Sequence, residues 1–109
     1  MDLLTFDEAA LALGCRVTRV TQLIRDGDLV AGRDPETGRR GVPADMIIDG
    51  GVVKSLPAVI TLLRDARYAD EEILDWLARE DDSLPGTPIQ ALRENRGTEV
   101  KRRAQVAGF

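Results

Sequence analysis

The chain has 109 residues, with 19 acidic and 15 basic side chains, 43% hydrophobic and 4% aromatic residues. This is the balance of a soluble globular protein, one compact domain or two very small ones sharing a core, and the longest apolar run, near LPAVITLL, falls far short of the ~18 residues of a membrane span. With no histidine and one cysteine, the commonest general base, the usual metal ligand and any internal disulfide are excluded, and so few aromatics argue against a base-stacking surface.

No catalytic residue, cofactor or metal site is therefore expected. The start MDLLTFDEAA lacks the basic region and long apolar run of a signal peptide, so a cytoplasmic location is expected. The net charge of −4 is shared evenly by the two halves and does not favour DNA, whose non-specific affinity comes from Lys and Arg on phosphates. Any nucleic-acid site must be a local patch.

Thr5 and Glu8 form a Thr-x-x-Glu capping box, and Phe6, Ala9, Ala10 and Leu13 recur at helical spacing up to Gly14. A first helix over 6–13 is predicted. A second helix should begin after Thr18 as N-cap and stop at Gly27. Val20, Leu23 and Ile24 share its inner face, with Val17 packed under the turn, while Thr18, Arg19, Thr21, Gln22, Arg25 and Asp26 lie outside. Two short helices joined by about four residues containing Gly form a helix-turn-helix pattern.

Asp34, Pro35, Glu36, Thr37 and Gly38 signal a turn between two strand-like segments, with Arg33 before it and Arg39 and Arg40 after it. This arrangement reads as a basic wing. A second strand pair is expected around Asp49 and Gly50.

From Ser55 the pattern is helical. Ser55 is the expected cap of SLPAVITLLRDA, with Pro57 in its first turn. Asp70 is the expected cap of EEILDWLARE, whose buried side is Ile73, Leu74, Trp76 and Leu77. Thr87 and Gln90 make another capping box ahead of Ile89, Ala91 and Leu92, and Gly97 and Thr98 set off a last helix, EVKRRAQV. No repeat or low-complexity linker separates the halves, so they should pack together. The fold class expected is mainly α with a small β-wing: a winged helix-turn-helix domain over 1–54 and a C-terminal helical domain over 55–109.

The helix after Thr18 carries the types that read base edges in a major groove, with Thr18, Arg19, Thr21, Gln22 and Arg25 facing out. Arg33, Arg39 and Arg40 are placed to touch phosphates. The alternative is that Arg19 and Arg25 simply solvate a helix, Arg25 favoured by the dipole at its C-terminal end. Asp26 and Asp28 count against DNA, although they lie at the end of the helix farther from the groove.

Other features have plainer readings. GGVVKS lacks the Gly that a phosphate-binding loop needs before Lys-Ser, which leaves Lys54 a surface residue. The clusters Asp70–Glu72 and Glu80–Asp82 lack the spacing of a calcium loop and read as solvated surface. Cys15 reads as a small, half-buried apolar residue. Trp76, Tyr68 and Phe109 are candidate anchors for a partner, with Trp76 at helical spacing more simply a core residue.

The stretch from Leu4 to Pro43 resembles the winged helix-turn-helix of excisionase-like and MerR-like proteins. The matching elements are Glu8, Ala9, Ala10, Leu13 and Gly14, then Ile24, Gly27 and Leu29, then Arg39, Arg40 and Pro43. Through VVKSLP, the Trp-Leu of the fourth helix and EV-x-RRAQ, nearly the whole chain resembles a family of small actinobacterial DNA-binding regulators with an N-terminal winged helix-turn-helix and a C-terminal helical domain.

That resemblance implies double-stranded DNA as partner and a role in transcription regulation or nucleoid association. One member is the substrate of a membrane Ser/Thr kinase through an N-terminal tail. This chain begins almost at the first helix, so phosphoregulation is not carried over and Thr5 is expected to be a cap. The C-terminal half also resembles the toxin-binding domain of certain antitoxins, through WLAREDDSLPGTPIQALRENRGTEV. A protein partner or self-association through the C-terminal helices is the alternative that this implies.

Overall fold

A computed structural model describes residues 2–108; Phe109, one of the candidate anchors, lies outside the described residues. The order is β1 (Leu3–Leu4), α1 (Phe6–Leu13), α2 (Val17–Asp26), β2 (Gly32–Arg33), β3 (Arg40–Pro43), a 3₁₀ turn (Ala44–Met46), β4 (Ile47–Ile48), β5 (Gly51–Val52), α3 (Leu56–Asp65), α4 (Asp70–Ala78), α5 (Pro88–Arg93) and α6 (Gly97–Val106). No helix among the described residues is long and apolar enough to cross a membrane.

The cap of α1 forms as the sequence dictates: Glu8 N–H donates to Thr5 Oγ1 at 3.0 Å and Thr5 N–H donates to Glu8 Oε1 at 2.8 Å. Gly14 then ends the helix in the left-handed region at φ 66°, which only glycine enters without a steric cost. The corresponding box at Thr87 and Gln90 starts α5.

Three expected helix starts differ. Val17, not Thr18, leads into α2: Arg16 is extended (φ −85°, ψ 157°) and its carbonyl accepts from Arg19 and Val20 N–H, so Thr18 is already helical. Asp70 opens α4 rather than capping it. Ala69 occupies the cap position, its N–H donates to Glu72 Oε1 at 2.9 Å, and the Asp70 carboxylate is drawn to Arg64 at 3.2 Å instead. α6 begins at Gly97, ahead of the polar start that the sequence suggested; Gly97 packs directly against Ser55, where a Cβ would lie 2.5 Å from the hydroxyl oxygen. Ser55 holds the position before α3 but makes no side-chain cap bond.

The strands form two small antiparallel sheets. The wing sheet has the order β1-β3-β2, with Leu4 opposite Val42 and Arg33 opposite Arg40. The second pair, β4 and β5, joins Ile47 to Val52, as the Asp49-Gly50 turn predicted. β1 carries no sequence signal and forms because β3 offers it an edge.

One apolar core serves both halves. Ala9, Val20 and Val42 from the N-terminal part join Leu56, Ile60, Leu63, Ile73, Leu77 and Val100 from the helical part, all fully buried. On α4, Ile73 and Leu77 are fully buried, but Leu74 and Trp76 are only partly covered, so the expected buried face is narrower. Arg93 clasps α5 to the 3₁₀ turn and β4: its Nη1 donates to the carbonyls of Asp45 and Ile47, each at 2.9 Å.

Candidate nucleic-acid interface

Burial of Val20 and Leu23, with Ile24 partly covered, fixes the rotation of α2 against α1. The opposite face therefore carries Thr18, Arg19, Gln22 and Arg25 into solvent, with Thr21 half-buried at its edge. Arg19 Nη1 donates to Gln22 Oε1 at 3.0 Å, which holds the two side chains side by side. The Thr21 hydroxyl donates to the Thr18 carbonyl at 2.9 Å, leaving its oxygen lone pairs free to accept.

The C-terminal end of α2 is seated on the helical half. Gly27 is buried with φ 82°, and a Cβ there would meet the Arg64 guanidinium at 2.9 Å. A cation beside the last carbonyls of α2 complements the helix dipole. This contact ties the orientation of α2 to α3.

The wing turn is closed by its own polar groups. Asp34 Oδ1 accepts from Glu36 N–H at 2.8 Å and Thr37 N–H at 3.2 Å, and Asp34 N–H donates to the Arg39 carbonyl at 2.8 Å. Arg33 Nη1 donates to the Gly38 carbonyl at 2.6 Å. Arg40 stands over the Phe6 ring, 5.8 Å from its centroid, a cation–π contact that anchors its stem to α1. Arg39 is exposed, with no side-chain contact of these kinds among the described residues.

The structure thus exposes seven of the eight sequence-predicted positions and half-buries Thr21; four of the exposed ones lie on α2 and three on the wing. Reasoning from sequence missed Arg16. With α2 starting at Val17, Arg16 is exposed at its N-terminal mouth, where the residues of a recognition helix approach bases and backbone. The signal was its place beside Val17, hidden by the stronger cap preference of Thr18.

Ion pairing divides the cations of the described residues unevenly, and the α2 and wing arginines fall on the unpaired side together with Lys54, Arg67, Arg93, Lys101, Arg102 and Arg103. Among the described residues, Arg64, Arg79 and Arg96 all pair with carboxylates. None of Arg16, Arg19, Arg25, Arg33, Arg39 and Arg40 forms an ion pair among those residues. No group of three or more His, Cys, Asp or Glu side chains is arranged to hold a metal ion among the described residues.

Residues 1–47 match the family described as "DNA-binding protein Rv2175c, wHTH domain", and residues 53–108 match the "Rv2175c C-terminal domain of unknown function". The DNA-binding protein Rv2175c of Mycobacterium tuberculosis strain H37Rv is 38% identical over 120 residues, covering 96% of this chain and 81% of that protein. The NMR structure of Rv2175c superposes with a TM-score of 0.88 at 35% identity, over 99% of this chain and 82% of the other. Winged helix-turn-helix, shared core and helical C-terminal half together place this chain in the Rv2175c family.

Proposed function

We propose that this protein is a non-enzymatic, cytoplasmic, double-stranded DNA-binding protein acting in transcription regulation or nucleoid organisation. α2 enters the major groove, where Arg19, Gln22 and Arg25, with Thr18 and Thr21, face base edges. Arg16 and the wing residues Arg33, Arg39 and Arg40 meet phosphates. The observation that carries this reading is the grouping of six arginines at one helix and its wing, none with a carboxylate partner among the described residues, in a family whose named relative is a DNA-binding protein. Unneutralised guanidinium groups on a convex polar helix are what a phosphate backbone draws on.

The test is fluorescence anisotropy of a labelled duplex across a salt series, for the wild type and an Arg19→Ala, Arg40→Ala double variant. Each phosphate contact contributes about −0.9 to the slope of log affinity against log salt. Steep salt dependence that flattens in the variant supports the groove-and-wing arrangement, and absence of wild-type binding at low salt overturns it.

The C-terminal helices are a second contact surface in this reading, for a protein partner or for self-association. Val106, 60% exposed near the end of α6, and the half-buried Trp76 of α4 support it.

A further inference from the structure

Three concavities run along α4, and the helix supplies a wall to each. The largest, about 600 Å3, opens between Glu71, Leu74 and Asp75 and the wing root at Gly32. A second, about 180 Å3, lies between Tyr68 and Trp76, and a third, about 360 Å3, between Trp76 and Pro88. The second and third share Trp76 and Arg79 and form one furrowed surface on that flank of α4, whereas the first opens on the opposite flank, where Leu74 faces.

The protein's excess negative charge belongs to α4 and the residues just after it. Residues 70–82 contain seven acidic side chains and one basic, which leaves fourteen basic against twelve acidic in the rest of the chain. Asp70 and Asp75 are paired with Arg64 and Arg79, and Asp81 is bound to Ser83. The exposed carboxylates of Glu71, Glu80 and Asp82 make no ion pair or hydrogen bond among the described residues.

We propose that the Trp76 flank of α4 is the docking surface for an extended arginine- or lysine-bearing segment of a partner protein. Trp76 and Pro88 supply apolar floor, Tyr68 borders it, and the unpaired carboxylates of Glu80 and Asp82 line the rim, where a guanidinium or ammonium head would sit with its stem on the apolar floor. At nine residues, α4 is about 13 Å long, which matches roughly four residues of extended chain. A surface of this charge repels nucleic acid, so its complement is a basic polypeptide. The proposal deepens the partner-binding reading of the C-terminal helices. It stands apart from the DNA reading, because its test contains no DNA.

Trp76 is the single tryptophan of the chain, so its emission reports the site directly. The full chain is titrated with a short synthetic peptide that alternates arginine with small residues, and with a control in which glutamate replaces arginine. The expected result is a saturable change in Trp76 emission with the arginine peptide alone, weakened by salt. In a Glu80→Gln, Asp82→Asn variant the affinity should fall at least about threefold, as expected when two rim charges are removed together.

Silence of Trp76 at low ionic strength, or equal binding by the variant, overturns the proposal. Sedimentation equilibrium of the protein alone supplies a further outcome. A dimer whose formation itself shifts Trp76 emission would show that a second copy covers this face, and would also overturn it.

Discussion

Arg33 and Arg40 stand directly opposite one another across the β2–β3 ladder. Like charges in that position destabilise a strand pair, and the two guanidinium groups are led to different partners: Arg33 to the Gly38 carbonyl at 2.6 Å, Arg40 to the Phe6 ring. The wing is thus held in shape by one arginine and seated on α1 by the other. Arg39, between them in sequence and exposed, has no such structural task.

This division predicts different consequences for Arg33→Ala and Arg39→Ala. Losing Arg33 removes the clasp on the turn, so hydrogen exchange should quicken at the Asp34 amide, which donates to the Arg39 carbonyl. Losing Arg39 should leave that protection intact and reduce the salt slope of DNA binding by about one unit. Unchanged exchange in the Arg33 variant would mean that the Asp34 turn holds the wing unaided.

Gly41 and Gly38 should respond differently to alanine. A Cβ on Gly41 would lie 2.5 Å from the Leu4 carbonyl oxygen and 3.0 Å from Leu3 Cβ, so β1 must move off β3. We expect Gly41→Ala to destabilise the fold by roughly 1–3 kcal/mol in urea unfolding, the usual range for overpacking. Gly38, at φ 72° with open space around its Cβ position, carries only the left-handed backbone penalty of about 1–2 kcal/mol. A Gly41 variant of wild-type stability would show that β1 yields without loss.

What the sequence made legible is what neighbours in the chain decide. The Thr5–Glu8 and Thr87–Gln90 boxes, the glycines that end α1 and α2, and the Asp34–Gly38 turn are all local, and each forms as its residue types require. The misses are contacts between distant residues. β1 pairs with β3, far along the chain at Val42 and Pro43, Ser55 gives up its cap role where Gly97 packs on it, and Arg64 lies over the end of α2. The candidate site was legible because the apolar triad Val20, Leu23 and Ile24 sets which residues face out. Arg16 was missed because cap preference favoured Thr18, a weak local bias that the extended backbone at Arg16 overrides.

Arg93 joins α5 to the 3₁₀ turn and β4 through two carbonyls, Asp45 and Ile47. Substitution by methionine keeps much of the packing and removes the donors, leaving the Ile47 carbonyl without its partner in a partly buried setting. An unsatisfied buried acceptor costs about 1–3 kcal/mol, and Arg93→Met should lose an amount in that range in urea unfolding. Its DNA affinity, measured well below the unfolding transition, should stay within about twofold of wild type, because α5 lies outside the groove-facing residues. Wild-type stability would show that water replaces the guanidinium at both carbonyls.

The turn between α4 and α5 should carry an acid-sensitive contact. Asp81 Oδ1 accepts from the Ser83 hydroxyl at 2.6 Å and from Ser83 N–H at 2.9 Å. Ser83 in turn accepts from Arg103 at its hydroxyl (2.8 Å) and its carbonyl (2.9 Å), which ties the turn to α6. The Ser83 hydroxyl and then its amide hold the Asp81 carboxyl below its ordinary value, with burial opposing them and the nearby Arg103 charge adding a lesser lowering effect. A carboxyl lowered in the folded state adds stability that is complete above the unfolded aspartate value and is lost as pH falls through the lowered folded value. Carbon-13 NMR titration should find Asp81 titrating below a typical exposed aspartate, and Ser83→Ala should move it back up. The stability difference between wild type and Asp81→Asn should shrink over the same acid range. An Asp81 that titrates like any exposed aspartate would remove both the linkage and the part Ser83 plays in it.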